Sequence, residues 1–207
     1  DVTGDDPTHI ASGPCAPDPS THADALDILG RYGVRAPQPV LAQLARGAKG
    51  EIAETPKPGS KVFARVENRV IATAQGSLAA AAAHFRSQGA AAAVLGDAIT
   101  GEASEVAKVF GAMARQVAAR GDPWQAPVAL ISGGECTVTI PAGMTGRGGR
   151  CSEFLLSLAL DLGGSPSVHA IACDTDGIDG SEDNAGAVLA PDSLLRAAAL
   201  GLDARKL

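Results

Sequence analysis

Apolar residues along this chain follow two alternating patterns. Short aliphatic runs at 91–95, 127–132 and 168–173 predict strands, and the last of these predicts a central, buried one. Between them, apolar positions recur at helical spacing over 102–120 and 149–162, which predicts two amphipathic helices. Because strands that alternate with helices in this way are typical of α/β proteins, we expect an α/β fold with a mixed or mainly parallel sheet flanked by helices.

Before this alternation begins, the chain carries the start and stop signals of two short helices. Thr21 predicts the N-cap of a helix that ends near Gly33. Pro39 predicts the first turn of a second helix, which ends near Gly47. We interpret this part as a helical segment that belongs to a second α/β domain.

A Pro- and Gly-rich stretch, ETPKPGS at 54–60, indicates a linker. We therefore predict that residues 1–55 are the remainder of an N-terminal α/β domain and that residues 56–207 form an α/β domain truncated at its C-terminus. After the linker, the β-rich runs KVFARV and RVIATA flank Glu67 and Asn68, which predicts a hairpin. Since the sequence opens without Met in a polar motif, we expect it to be part of a longer polypeptide.

The composition of the chain argues against some classes of binding partner. The net charge of −6 and a pI near 5.1 argue against nucleic acid or an acidic membrane surface. No apolar run reaches the roughly 18 to 20 residues that span a bilayer. The 4 cysteines lack any zinc-site spacing. Reduced thiols in a cytoplasmic protein are therefore the expectation.

The first candidate site is the loop Gly146-Arg147-Gly148-Gly149-Arg150, directly ahead of a predicted helix. Glycines there let backbone N–H groups approach an anion, which the helix dipole also favours. Arginines beside them can form bidentate contacts with phosphate or carboxylate. The loop is neither a Walker loop nor a dinucleotide fingerprint. A solvated surface hairpin remains the alternative.

The second candidate is Ser132-Gly133-Gly134-Glu135, between the run at 127–132 and a further predicted strand at 136–140. Glycines at a strand end can open a cradle for phosphate or ribose. Glu135 could bind a hydroxyl or a metal-bound water. The alternative is a tight turn between two strands.

The third candidate is the acidic loop that holds Asp174, Asp176 and Asp179, after the run at 168–173. Carboxylates crowded at a strand end repel one another unless a cation or an arginine compensates. Mg²⁺, held partly by carboxylates and partly by substrate phosphates, is the natural counter-charge. The alternative is an acidic, Gly-rich turn.

These motifs in this order resemble a known family. SGGE at 132–135, GRGGR at 146–150 and TDGIDG at 175–180 are similar to the MOFRL domain of type-2 glycerate kinases, which are also named hydroxypyruvate reductases. DVTGDD at 1–6 and GEASEVA at 101–107 resemble the same family. The resemblance covers nearly the whole chain, which corresponds to roughly the second half of such an enzyme. It implies an ATP- and Mg²⁺-dependent kinase that phosphorylates the 2-hydroxyl of D-glycerate in a cleft between two α/β domains.

The resemblance also implies roles for single residues. Arg147 would contact the transferring phosphate or the substrate carboxylate, and Asp176 would bind metal or activate the substrate hydroxyl. The nucleotide- and substrate-binding candidates are Ser132, Gly133, Gly134, Glu135, Gly148, Gly149 and Arg150, and the metal candidates are Asp174, Asp176 and Asp179. After GRGGR this chain has Cys151-Ser152 where the family commonly has Asn-Gln.

Two other functions stay open from the sequence. One is an NAD(P)H-dependent hydroxypyruvate reductase, although a dinucleotide fingerprint is missing from these residues. The other is a fragment that binds nucleotide without turning it over. The expected partners are glycerate and a nucleotide, and a homodimer is left open.

Overall fold

A computed structural model describes residues 2, 4–141, 143, 146–181 and 183–206. The chain divides into two compact units, Asp1–Ile71 and Ala72–Leu207. In the described part of the chain, no helix has both the length and the apolar character needed to cross a bilayer. The predicted assignment of 1–55 and 56–207 to two separate α/β domains stays a prediction.

The first unit is built around two helices, α1 (His22–Arg31) and α2 (Gln38–Ala48). The predicted cap is confirmed, since Thr21 Oγ1 accepts a hydrogen bond from the Asp24 N–H at 3.1 Å while the Thr21 N–H donates to the Asp24 carboxylate at 2.8 Å. This capping box satisfies two of the backbone N–H groups at the helix start. The helices pack closely at Gly47, where an added Cβ would lie 2.2 Å from the His22 ring.

The predicted hairpin after the linker is wrong. Lys61–Phe63 forms a single 3-10 turn, and residues 64–73 contain no strand. Residues 64–72 are all exposed, and Ile71 is 90% exposed. A two-stranded hairpin is marginal unless an apolar face is buried, and the β-branched residues of this segment have no such burial.

Four helices and four strands are formed by the described residues of the second unit. They are α3 (Ala74–Ser87), β1 (Ala91–Glu102), α4 (Ala103–Arg120), β2 (Val128–Thr137), α5 (Arg150–Leu162), β3 (Ala170–Cys173), β4 (Gly186–Leu189) and α6 (Ser193–Ala199). β1 pairs in parallel with β2, and β3 pairs antiparallel with β4. The fold is thus mixed α/β with a parallel sheet flanked by helices, which confirms the predicted class.

Small and aliphatic side chains make the core of this unit, as the 3% aromatic content requires. The buried cluster consists of Ala107, Leu155, Leu158, Ala159 and Leu189, so that α4, α5 and β4 meet there. At its margin Phe110 and Phe154 pack edge to face with ring centroids 5.4 Å apart. Burial of α5 against this cluster fixes the helix whose first turn forms part of the candidate site.

The predicted break at 132–135 between two strands is wrong, because β2 runs without interruption from Val128 to Thr137. Its glycines allow β1 to approach closely where the pairing register shifts. Gly134 has a φ of +149°, and a Cβ there would lie 1.9 Å from the Ile99 carbonyl oxygen. β3 is not a central strand either, since it pairs with β4 alone among the described residues and Ile171 is 69% exposed.

Candidate functional site

Two of the predicted glycine-rich loops pack directly against each other. The Gly148 N–H donates to Ser181 Oγ, and the Ser181 N–H donates to the Gly148 carbonyl, each at 3.2 Å. Gly180 has a φ of +67°, and a Cβ there would lie 2.2 Å from the Gly148 oxygen. The loop before α5 and the loop between β3 and β4 are therefore in backbone contact, which only glycine permits at these positions.

Asp179 lies at the centre of this contact and is fully buried. Its carboxylate accepts hydrogen bonds from the Cys151 N–H at 2.9 Å, the Ser152 N–H at 2.8 Å and Ser152 Oγ at 2.7 Å. Burial by itself would raise the pKa of Asp179, but these hydrogen bonds hold it below the ordinary value. The carboxylate is therefore ionised and accepts bonds from the first turn of α5.

This arrangement bears on the predicted anion site at the start of α5. The N–H groups of Cys151 and Ser152 bond to Asp179, and the Gly149 N–H donates to Ser152 Oγ at 3.0 Å. An anion does sit at this helix N-terminus, as its dipole favours, but it belongs to the chain itself. Ligand binding by Gly148 and Gly149 stays a prediction.

Arg150, the first residue of α5, joins two other parts of the candidate site. Its guanidinium pairs with the Glu135 carboxylate of β2 and, at 2.5 Å, with Asp174 Oδ2 at the end of β3. Burial alone would lower the pKa of Arg150, but the hydrogen bond to Asp174 and the charges of Glu135 and Asp174 raise it. Three segments thus meet at one permanently charged group.

Arg147 and Asp176, the two predicted catalytic residues, are both exposed. Asp176 Oδ1 accepts a hydrogen bond from the Ile178 N–H at 3.0 Å. Arg147 lies three residues ahead of α5, on the loop that Asp179 and Gly180 pack against.

The predicted metal residues divide into two groups. Asp174 and Asp179 lie with Cys151 in a cluster whose oxygen and sulfur atoms are all within 4.8 Å of one another, and Asp176 is not part of it. Burial, with the charges of Asp179 and Asp174, raises the pKa of the Cys151 thiol to about 12, so the sulfur is protonated. Mg²⁺ prefers several oxygen ligands and waters. Because both carboxylates already have partners, this donor set does not fit a magnesium ion.

The four residues of the SGGE motif, 132–135, lie within β2. Ser132 and Gly133 are half-buried, and Glu135 projects to Arg150. The structure therefore brings together Glu135, Gly148, Gly149, Arg150, Asp174 and Asp179.

One polar residue that holds this site, and another at the paired ends of β1 and β2, were not among the sequence candidates. Ser152 bonds both Asp179 and Gly149, and Glu102 accepts hydrogen bonds from the Thr139 N–H at 2.7 Å and Thr139 Oγ1 at 3.0 Å. The bond from the Thr139 backbone is the main cause that lowers the pKa of Glu102. A serine within the first turn of α5 was a usable signal for capping, whereas nothing in the sequence links Glu102 to Thr139.

Two parts of the chain match known domain families. Residues 128–207 match the MOFRL family, and residues 1–45 match a domain of unknown function, DUF4147. Every residue of the candidate site described above lies within the first of these matches.

Similarity to individual proteins extends over the whole chain. A protein of Agrobacterium vitis named a hydroxypyruvate reductase is 48% identical over 99% of this chain and 45% of its own length. A glycerate 2-kinase of Pyrococcus horikoshii is 35% identical over 100% of this chain and 46% of its own. The crystal structure of a glycerate kinase from Thermotoga maritima superimposes with a TM-score of 0.79 and 32% identity, over 100% of this chain and 47% of that one. The chain thus spans about half the length of these relatives.

Proposed function

We propose that this protein, whose residues 128–207 match the MOFRL family, is a glycerate kinase. The observation that carries the proposal is similarity along the whole chain to enzymes named glycerate kinase or glycerate 2-kinase, in sequence and in fold. The reaction proposed is transfer of the γ-phosphoryl group of ATP to the 2-hydroxyl of D-glycerate.

The arrangement of charges suits this reaction. Phosphoryl transfer requires positioning and stabilisation of negative charge rather than covalent chemistry. In the proposal, exposed Arg147 contacts the transferring phosphate or the substrate carboxylate. Asp176, also exposed, accepts the proton of the substrate hydroxyl. The backbone of Ser132, Gly133 and Gly134 and the side chains of Glu135 and Arg150 line the neighbouring part of the site.

Magnesium enters the proposal only as the ion that accompanies ATP, since kinases use it to neutralise the phosphates. The cluster of Cys151, Asp174 and Asp179 does not fit it, for the reasons given above. We therefore assign no step to an ion held by these residues.

A second candidate is hydroxypyruvate reduction. It is favoured by one observation, the name of the 48% identical relative and of a 45% identical protein from the same organism. Hydride transfer requires a nicotinamide cofactor, and the described residues contain no Gly-rich dinucleotide fingerprint. The kinase is accordingly the function that we place first.

The test is an activity assay of the protein with two substrate sets. We expect ATP consumption with D-glycerate and Mg²⁺, and 2-phosphoglycerate as the product identified by mass spectrometry and NMR. NADH oxidation with hydroxypyruvate and no ATP use would replace the kinase by the reductase. If the protein shows neither activity, the remaining candidate is the third one, a part of a larger protein that binds nucleotide without turning it over.

The role of Arg147 is tested by Arg147→Ala. Loss of a well-placed donor to the transition state costs about 10²- to 10³-fold in kcat, so we expect a loss of this size with an unchanged unfolding transition. Arg205→Ala removes another exposed arginine of the same unit and serves as the matched control. Turnover of Arg147→Ala equal to that of the control would remove Arg147 from the site.

A further inference from the structure

The reaction proposed above makes no use of Asp179, the charged side chain that the described residues bury most completely. Ionised carboxylates are rarely buried unless they are paired or fully hydrogen-bonded. Here both oxygens have partners, and every hydrogen-bond donor among the described residues belongs to the first turn of α5, which lies 27 to 28 residues earlier in the chain. The carboxylate therefore connects two segments that are far apart in the chain.

The backbone around Asp179 makes this connection rigid. A Cβ on Gly149 would lie 2.2 Å from Asp179 Oδ1 and 2.5 Å from its carbonyl carbon. On the other side, Gly180 packs on Gly148, and the Ser181 N–H donates to the Gly148 carbonyl. The loop before α5 is thus held in place by two contacts, one with the side chain of Asp179 and one with the backbone of Gly180 and Ser181.

The two arginines of the loop lie on either side of the glycines that contact Asp179 and Gly180. Gly148 and Gly149 separate Arg147 from Arg150, and Asp179 bonds the residues directly after Arg150. A small displacement of this loop would move both guanidinium groups together. Placement errors of about 1 Å can reduce catalysis by about 10²-fold.

We propose that Asp179 is a positioning residue, a built-in anion that locks the Arg147–Arg150 loop onto the start of α5 and thereby orients both arginines. The locking itself follows from the contacts of Asp179, and only its effect on turnover rests on the proposed kinase function. In this proposal the second aspartate of the TDGIDG motif acts through the loop and neither binds metal nor touches the substrate.

The experiment compares Asp179→Asn with Asp183→Asn by amide hydrogen exchange and by kinetics of the protein. Asn keeps the size of the side chain, but only one of its two terminal atoms still accepts a hydrogen bond, and the other is an NH2 donor that faces an N–H group of Cys151 or Ser152. We expect exchange at residues 151–152 to become about five- to tenfold faster, while residues 107–117 of α4 are unchanged. We expect kcat to fall about 10- to 100-fold with an unchanged half-saturating concentration of Mg²⁺. Asp183 is an exposed carboxylate of the same loop, and its variant should behave as wild type.

Two results would overturn the proposal. Unchanged exchange at 151–152 would show that Asp179 does not hold the first turn of α5. A raised Mg²⁺ requirement with unchanged exchange would make Asp179 a metal ligand instead. If the wild-type protein lacks kinase activity, the proposed function fails, yet the exchange comparison still decides the locking role.

A second pair of variants covers the case in which Asp179→Asn does not fold. Ser152→Ala removes one of the three donors to Asp179, and Ser152→Thr retains the hydroxyl. We expect faster exchange and lower kcat in the first variant and recovery of both in the second. Equal behaviour of the two variants would contradict a role for the hydroxyl bond in holding the loop.

Discussion

At the residue scale, the candidate site contains one arginine that pairs with two carboxylates, and these two differ in how far they are exposed to solvent. Arg150 pairs with Asp174, whose side chain is 7% exposed, and with Glu135, whose side chain is 48% exposed. An exposed ion pair contributes little because water already solvates both charges. A buried charge depends on its partner, since removal of one leaves the other unsolvated. The two pairs should therefore differ in what they contribute to stability.

This difference can be measured by neutralising each carboxylate in turn. We expect Asp174→Asn to lower the free energy of unfolding by about 1–3 kcal/mol, because it removes the buried partner of Arg150. Glu135→Gln should change it by about 0–1 kcal/mol. Urea unfolding followed by circular dichroism gives both values, and equal losses would contradict the assignment of Asp174 as the buried partner.

Asp179 predicts a specific pH dependence. Its pKa in the folded protein is lowered, so the ionised carboxylate stabilises the fold above its unfolded pKa of about 4, and this contribution is lost as the pH falls through the lowered folded pKa. The stability difference between wild type and Asp179→Asn should therefore be largest near neutral pH and shrink below pH about 4. Urea midpoints of both proteins across this range test the sign, and a difference independent of pH would refute it.

At the element scale, local signals in the sequence were sufficient where the determinants are themselves local. Thr21 and Asp24 lie three residues apart, so the start of α1 could be predicted from them alone. The apolar positions of α5 likewise predicted both its extent and its burial. The continuity of β2 could not be predicted, because its glycines are explained by the approach of Ile99 from another strand.

The same limit applies to the candidate site. The sequence indicated which glycine-rich loops would carry the chemistry, and the structure brings Glu135 to Arg150 and Asp174. It could not indicate that Asp179 caps α5, since the residues that bond lie 27 to 28 positions apart. Residue types predict the kind of chemistry, whereas the partner that satisfies a buried charge depends on long-range packing.

Adjacent glycines in β2 allow a matched test of this packing. At Gly134 an added Cβ would lie 1.9 Å from the Ile99 oxygen, whereas at Gly133 its nearest neighbour, Leu78 Cδ1, would be 3.6 Å away. We expect Gly134→Ala to cost about 1–3 kcal/mol through steric strain against β1 and Gly133→Ala to cost clearly less. Thermal unfolding of both variants provides the comparison, and similar midpoints would mean that β1 can shift to admit the methyl group.

At the scale of the whole molecule, the chain separates into the units Asp1–Ile71 and Ala72–Leu207. Each has internal packing of its own, the first between α1 and α2 at Gly47 and the second around Leu155 and Leu158. The segment 64–72 is exposed throughout and includes the boundary between the units, which falls after Ile71. A protease requires an accessible stretch of backbone without regular structure, and this segment meets that condition.

Limited trypsin digestion should therefore cut first after Arg65 or Arg69, which both lie in this segment. Arginines within helices, such as Arg46 of α2 and Arg115 of α4, should resist because their backbone is hydrogen-bonded. Mass spectrometry of the early products should yield two fragments that end and begin within 64–72, and the variant Arg65→Gln/Arg69→Gln should delay their appearance. Early cleavage at Arg46 or Arg115 instead would mean that the helices open before the connecting segment is attacked, and that the two units are less compact in solution than their packing indicates.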